Sequence, residues 1–478
     1  EGKAHVITDG ACAEDLQKKK ACMFRNIRGY ELSMKAHREA LFPIPLVLEA
    51  FSLIDVQNAH ASVPIDKVRI LNSIAGRDAA SLDMEPLKEH ITYAKVNSSL
   101  RAIFAVAMLP GCAKQGQFDA LQQIAAVLKH DTVGRERLAF NFTDMHHFND
   151  EYLHHVVEAL PPKLSALSIQ ATRCGEITNV GATAIAEKLP QTLRELHLSF
   201  HENPGVSDSG LLSLSRNMPP NLRDLRLAFG YCGSLQDEGL CSLGRHLPQR
   251  LEYLSLEFES CEQVGDPGLV LLGEHLPQTL CELRLNFMGC YGLGDQAVVA
   301  VARGLPDCLN AFWLCLFACD KVSDQGLSAI AWHLPRSLKT LNLDARSSST
   351  SQAGVATLIK EFPGELTELL FKFRDAEENN VVLNSRSEAQ EWLESHPDVK
   401  PLKRTAKAKC ASACRMQPLH RGSVAKARAA PKVSQGSWRP ASRSSSSRSS
   451  LVLAGAHMSN NSASPKLSGR GAPSSVKP

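Results

Sequence analysis

An α/β solenoid, with parallel strands on its concave side and helices on its convex side, is the fold class that this 478-residue chain predicts. Three observations carry it. A leucine-rich phrase opens at Arg135, Leu164, Leu193, Leu222, Leu251, Leu280, Leu309, Leu338 and Leu366, nine copies spaced by 29 residues seven times and by 28 once. Within a copy the apolar residues first alternate at period two, as in Leu225, Leu227 and Phe229, and then give way to a helical run. Finally, the copies close on Leu-Pro or Met-Pro pairs such as Leu189-Pro190, Met218-Pro219 and Leu247-Pro248. Proline lacks an N–H and biases its predecessor away from the helix, so it stops each helix before the next strand.

The elements of one copy follow in order. A strand with one buried face comes first, reading close to L-x-x-L-x-L-x-F, as at Leu280, Leu283, Leu285 and Phe287. Three residues later stands Cys or Asn: Cys174, Asn203, Cys232, Cys261, Cys290 and Cys319. A small polarisable side chain at a bend can be buried and still satisfy backbone groups. An acidic lane follows at Asp208, Asp237, Asp266, Asp295 and Asp324, just ahead of each apolar helical run, where such residues suit a helix N-terminus. His246, His275 and His333 stand two residues before the proline, in the last turn, where they complement the helix dipole.

Strand, bend, helix and proline stop in this order resemble the leucine-rich repeat superfamily. The length of 29 is similar to the ribonuclease-inhibitor subclass, and the cysteine at the bend is similar to the cysteine-containing repeats of many F-box proteins. The resemblance implies a solenoid whose copies stack because none buries its own leucines alone. Nine strands at about 4.8 Å give a concave wall on the order of 40 Å long, suited to a protein or peptide surface.

The flanks differ. Residues 1–30 are mixed and charged and read as a disordered arm, and 31–99 as a helical N-terminal cap. Residues 100–134 are expected to form a degenerate repeat, because Leu100, Ile103, Ala105 and Ala107 echo the phrase. The solenoid proper occupies 135–374, a short capping or linker segment with one helix 375–398, and a disordered Ser/Arg/Lys-rich tail 399–478. That tail holds 16 of the 53 Lys and Arg and no acidic residue, leaving 37 basic against 50 acidic groups, net −13, in residues 1–398.

Fourteen cysteines raise the question of oxidised secretion, but five occupy one repeat lane and serve packing, which favours a reduced, intracellular compartment, cytoplasmic or nuclear. No stretch resembles a transmembrane span. The chain starts at Glu1, so a lost leader stays open. The basic tail keeps three readings: a nuclear-import patch in KPLKRTAKAK, contact with nucleic acid or an anionic surface by charge, or a solvated end. Trp438 is its one aromatic residue, too few for base stacking. Arg439 and Ser442 in RPAS resemble a basophilic kinase site, and Cys410 and Cys414 form a C-x-x-x-C without a second pair.

No phosphate loop, G-x-S-x-G or H-E-x-x-H occurs, and the Asp lane repeats too regularly for acid–base chemistry, so no catalytic residue and no cofactor are expected. His146, His147, His154 and His155 lie close in sequence but lack a zinc-like companion, so no metal is expected. Function is sought instead where outward strand positions stop repeating. Trp313 and Tyr253 are large aromatics facing out of a sheet, and with Arg284, Arg226 and His197 they form the candidate partner-binding patch. Part of the face is expected to be cross-strand pairing, for instance Glu195 with Arg226, and the chain's own C-terminal residues compete to cover Trp313. The function read from this is a monomeric, non-enzymatic adaptor that holds a protein partner on the concave face. Phe42, Pro43, Leu46, Leu48, Phe51, Leu53 and Asp55 are similar to the start of an F-box, which makes a ubiquitin-ligase substrate receptor the alternative. A small-GTPase activator on the same scaffold is the third reading, although no catalytic arginine matches.

Overall fold

The computed structural model describes residues 43–129, 135–346 and 348–404. The arm 1–30, the rest of the cap before residue 43, and the tail from residue 405, with Cys410, Cys414, Trp438, Arg439 and Ser442, lie outside the described residues. Nine parallel strands, one per copy, form a single sheet in chain order: β1 (Arg137–Asn141), β2 (Ala166–Gln170), β3 (Glu195–Ser199), β4 (Asp224–Ala228), β5 (Tyr253–Glu257), β6 (Glu282–Asn286), β7 (Ala311–Cys315), β8 (Thr340–Asp344) and β9 (Glu368–Arg374). Each residue pairs with the one at the same place in the next copy, as Leu225 with Leu254 and Leu254 with Leu283. The copies are in register at a spacing of 29 residues from β1 to β8, and of 28 from β8 to β9.

Leu225, Leu254 and Leu283, with Leu227, Leu256 and Leu285, point behind the sheet and are buried. Beyond the strands Phe200, Phe229, Phe258 and Phe287 are fully buried, and their rings stack between copies at 5.5 to 5.7 Å between centroids. The cysteine lane follows. The thiols of Cys232, Cys261, Cys290 and Cys319 each donate to the carbonyl of Phe200, Phe229, Phe258 and Phe287 in the preceding copy, at 3.1 to 3.2 Å. Asn203 donates likewise to Ala171 O at 2.6 Å and accepts from the Cys174 N–H at 2.9 Å. Burial pushes the Cys232 thiol up to about 11 and those of Cys261 and Cys319 up to about 12, so they stay protonated donors.

The residue before this lane has positive φ in seven successive copies: Asp144, Arg173, Glu202, Tyr231, Ser260, Gly289 and Ala318. Glycine occupies one of the seven, although a side chain in the left-handed region costs on the order of 1 kcal/mol. The bend needs this turn of the backbone in each of these seven copies.

The acidic lane works across copies, which the sequence reading did not anticipate. Asp208 and Asp237 begin α-helices Asp208–Arg216 and Asp237–His246, yet each caps the following helix. Asp208 Oδ1 accepts from Gln236 and Gly239 N–H at 3.0 Å, and Asp237 Oδ1 from Gly265 and Gly268 N–H at 2.8 and 3.1 Å. A Cβ at Gly239 would come 2.6 Å from Asp208 Oδ1, which explains the glycine three residues into the copy's helix. Ala297 replaces that glycine once, and its N–H stands 3.3 Å from Asp266 Oδ1. The histidines do as expected: Nδ1 of His246, His275 and His333 bonds the carbonyl four residues back at 2.8 to 2.9 Å.

The ends differ from expectation. Leu100, Ile103, Ala105 and Ala107 form no strand; they lie inside a 24-residue helix, Ile91–Lys114. Ala102, Ala105, Leu109, Cys112 and Ala113 recur three or four residues apart and are buried, so helical period overrides the short echo of the repeat phrase. This helix crosses the expected boundary at residue 99, and Phe118–Lys129 follows it as a helix rather than completing a repeat. Ile91–Lys114 is long and apolar enough to pass for a span by length and composition alone, but half of its apolar window is buried within the protein, as in a core helix, and no clear membrane span stands among the described residues. Its Asn97 donates to Asp55 at 3.1 Å and Arg101 to Ile54 O at 3.0 Å. At the other end a tenth strand, Asn380–Leu383, pairs antiparallel with β9, and helix Arg386–Ser395 sets Trp392 edge-on to Phe373 at 5.5 Å.

Candidate concave-face site

Strands β3 to β7 bring four of the five candidate residues into one stack. His197, Arg226, Ser255, Arg284 and Trp313 are successive register partners along one lane. Ser255 is small and buried, and Tyr253, two residues earlier on β5, fills the space between the arginines. Arg226 Cζ lies 4.2 Å from the Tyr253 ring centroid, and Arg284 Cζ lies 5.7 Å from Tyr253 and 3.6 Å from Trp313. Cation and ring therefore alternate in the order Arg226, Tyr253, Arg284, Trp313. Such contacts contribute about 0.5 to 2 kcal/mol each, more where water is excluded.

His197 joins the stack through a carboxylate. Its Nε2 lies 3.2 Å from Asp224 Oδ1, while Arg226 grips Asp224 with Nε at 3.0 Å and Nη2 at 2.7 Å. Burial resists ionisation of Asp224, but the nearby His197 and the two hydrogen bonds from Arg226 together outweigh it and hold the carboxyl below the usual aspartate range. Arg284 is oriented by Glu282, at 2.8 Å from Nε. Burial raises the Tyr253 phenol against the pull of the two arginines, so it stays neutral. Both guanidinium groups are held by a neighbouring carboxylate two residues earlier on the same strand, leaving their flat faces to the rings.

One expectation about this face needs correction. Glu195 does not pair with Arg226; it reaches across β2 to Arg137, at 2.9 Å. The small Ala166 lies between them in the register, and Asp224 is nearer to Arg226 on its own strand. Nor do the described C-terminal residues cover Trp313. Leu402 N–H donates to Thr357 Oγ1 at 2.8 Å and Arg404 to Trp332 O at 3.4 Å, both on helices of the convex side.

A second group on the same face escaped the sequence reading. Arg346 is held by Asp344 at 2.6 Å and lies 5.0 Å from the Phe317 ring, with Lys372 alongside. His201 Nε2 lies 3.1 Å from Glu259 Oε1, and Asn286 donates to Glu259 Oε2 at 2.9 Å. His201, Glu259, Phe317 and Arg346 lie just past the strand ends; following the 29-residue spacing two positions beyond the strand would have found them. The clustered histidines make ring and ion-pair contacts: His154 and His155 stand edge-on to each other at 5.9 Å, His155 also stands edge-on to Phe118, and His154 lies 3.8 Å from Glu158. Among the described residues no three His, Cys, Asp or Glu side chains gather as for a metal ion.

Register-matched parallel strands, a backing helix per copy and the buried Leu, Phe and Cys lanes define the chain as a leucine-rich repeat solenoid. No family model matches it, and no curated protein does. Among solved structures it is similar to a chain of the Rad7 and Elc1 complex in yeast, at 18% identity, covering 73% of this chain and 92% of that one, with a TM-score of 0.40. It is also similar to the leucine-rich repeat-containing protein LegL7 from Legionella pneumophila, at 17% identity, covering 55% and 81%, with a TM-score of 0.34.

Proposed function

We propose that the protein is a non-enzymatic interaction module that holds a protein partner on its concave face, with Trp313, Tyr253, Arg284, Arg226 and His197 as the anchoring patch. The observation that carries this is the stack itself. Two large aromatic rings and two arginines stand half-exposed or exposed on a strand surface, each arginine already fixed by a carboxylate. A partner that covers them meets preorganised side chains and loses little rotamer entropy in doing so. The five buried thiols that donate to carbonyls fit a reducing, intracellular setting.

The test compares full-length protein with the Trp313→Ala and Arg284→Ala variants in capture of one identified partner. Each is expected to weaken binding roughly tenfold to a hundredfold with only a small shift of the unfolding transition. Retention of that partner at full strength by both variants defeats the site assignment.

A second reading, a ubiquitin-ligase substrate receptor, is favoured by the first helix of the cap. Helix Ile44–Leu53 buries Ile44 and Phe51 but leaves Leu46 at 62% and Leu53 at 73% exposure, an apolar edge with no cover among the described residues. An SCF adaptor that ignores the intact chain eliminates this reading.

A further inference from the structure

Ten cysteines fall among the described residues, and Cys281 and Cys308 are the two that are exposed. Free cysteine is among the most buried of residue types, so two exposed thiols, one near the start and one at the end of the sixth copy, stand out. Both are departures from the repeat. At the place of Cys281 other copies carry Arg194, Arg223, Glu252 or Lys339. At the place of Cys308 they carry Thr192, Thr279 or Ser337, whose hydroxyls donate to the carbonyls of Leu164, Leu251 and Leu309 at 2.6 to 2.8 Å.

The two sulfurs converge. Cys308 Sγ donates to the carbonyls of Gln278 and Leu280, both at 3.3 Å, and Cys281 Sγ lies 3.7 Å from Thr279 O between them. The two thiols are close enough for Cys308 to act on the charge of Cys281. The backbone beneath is fixed, since Cys281 O accepts the Asn310 N–H at 2.8 Å across β6 and β7. The thiols of the buried lane also donate to carbonyls about one copy back, but they are sealed from solvent.

We propose that Cys281 and Cys308 form a reversible disulfide that staples the two ends of the sixth copy together, from the entry of β6 to the entry of β7, with a small disulfide such as oxidised glutathione as the oxidant. One cysteine thiolate attacks a sulfur of oxidised glutathione, forming a mixed disulfide and expelling a glutathione thiolate. The second cysteine thiolate attacks the mixed disulfide at the protein sulfur, closing the Cys281–Cys308 bond and expelling the second glutathione thiolate. The two protons lost by the cysteines end on the two glutathione molecules, so two protein thiols are oxidised and one glutathione disulfide is reduced. The staple ties β6 to β7, the strands that carry Arg284 and Trp313.

The test equilibrates full-length protein across ratios of reduced to oxidised glutathione, followed by alkylation and non-reducing peptide mapping. The expected result is a linked peptide joining Cys281 to Cys308, about 2 Da lighter than the two thiol peptides, with a melting temperature roughly 5 °C higher. Cys308→Ser leaves Cys281 able to carry only a glutathione adduct, and the thermal shift disappears. The proposal is overturned if no linked peptide forms at the most oxidising ratio. It is equally overturned if Cys281 and Cys308 carry separate adducts, or if either links instead to Cys12, Cys22, Cys410 or Cys414.

Discussion

Behind the sheet the copies are nearly interchangeable; in front of it they are not. The Phe200, Phe229, Phe258 and Phe287 rings, the thiols of the bend and the Asp caps repeat with the same partner one copy away. The concave lane instead runs His197, Arg226, Ser255, Arg284, Trp313, a different side chain on each strand. Stacking demands identity, because each copy must fit both of its neighbours. Recognition demands difference, because a uniform wall cannot tell one partner surface from another. The boundary between the two demands passes through single strands, whose alternate residues serve opposite sides.

If that division is real, substitutions on the two sides separate stability from binding. Phe258→Ala should have the largest effect, about 3 to 5 kcal/mol lost in urea unfolding, because the ring is fully buried between two others. Asp237→Ala comes next, at about 2 to 3 kcal/mol, since it strips a charged acceptor from the N–H groups of Gly265 and Gly268. Gly289→Ala should cost about 1 kcal/mol through its positive φ, and Ala318→Gly should recover a similar or smaller amount. Arg284→Ala belongs at the bottom of this scale, at about 0.5 kcal/mol, while its effect on partner capture is large. An Arg284→Ala protein that unfolds as readily as Asp237→Ala would erase the distinction between front and back.

The smallest effect is a pH dependence. Asp224 has its carboxyl held below the ordinary range, so its contribution is complete above the usual aspartate pKa and fades as pH falls through the lowered value. Partner capture should therefore hold at neutral pH and weaken only in acid, below about pH 4. Asp224→Asn should remove that acid limb, as read by binding across a pH series.

Legibility followed the same division. The strands, the helices, their proline stops, the His lane and the role of the bend cysteines could all be read from the 29-residue spacing, because each is a local pattern copied many times. The Asp lane was read as a cap for its own helix; its true partner lies 28 to 31 residues onward, a distance that no local pattern displays. Leu100 to Ala107 looked like a worn repeat because two or three apolar residues can match a strand or a helix equally well. Strand Asn380–Leu383 was missed because a short antiparallel edge of four residues carries almost no periodic signal. In the concave stack the residues themselves were legible as exceptions, whereas the alternation of Arg226, Tyr253, Arg284 and Trp313 depends on Tyr253 leaning over buried Ser255.

The Asp caps also give the solenoid a direction. Asp208 serves the helix that starts at Asp237, and Asp237 serves the helix that starts at Asp266; among the described residues each cap is made before the helix that needs it. On the ribosome a chain emerges from its N-terminus, so every new helix finds its acceptor already seated in the copy ahead. Growth in that order never leaves these N–H groups waiting for their Asp, whereas growth from the other end would leave them unmet until the preceding copy arrived.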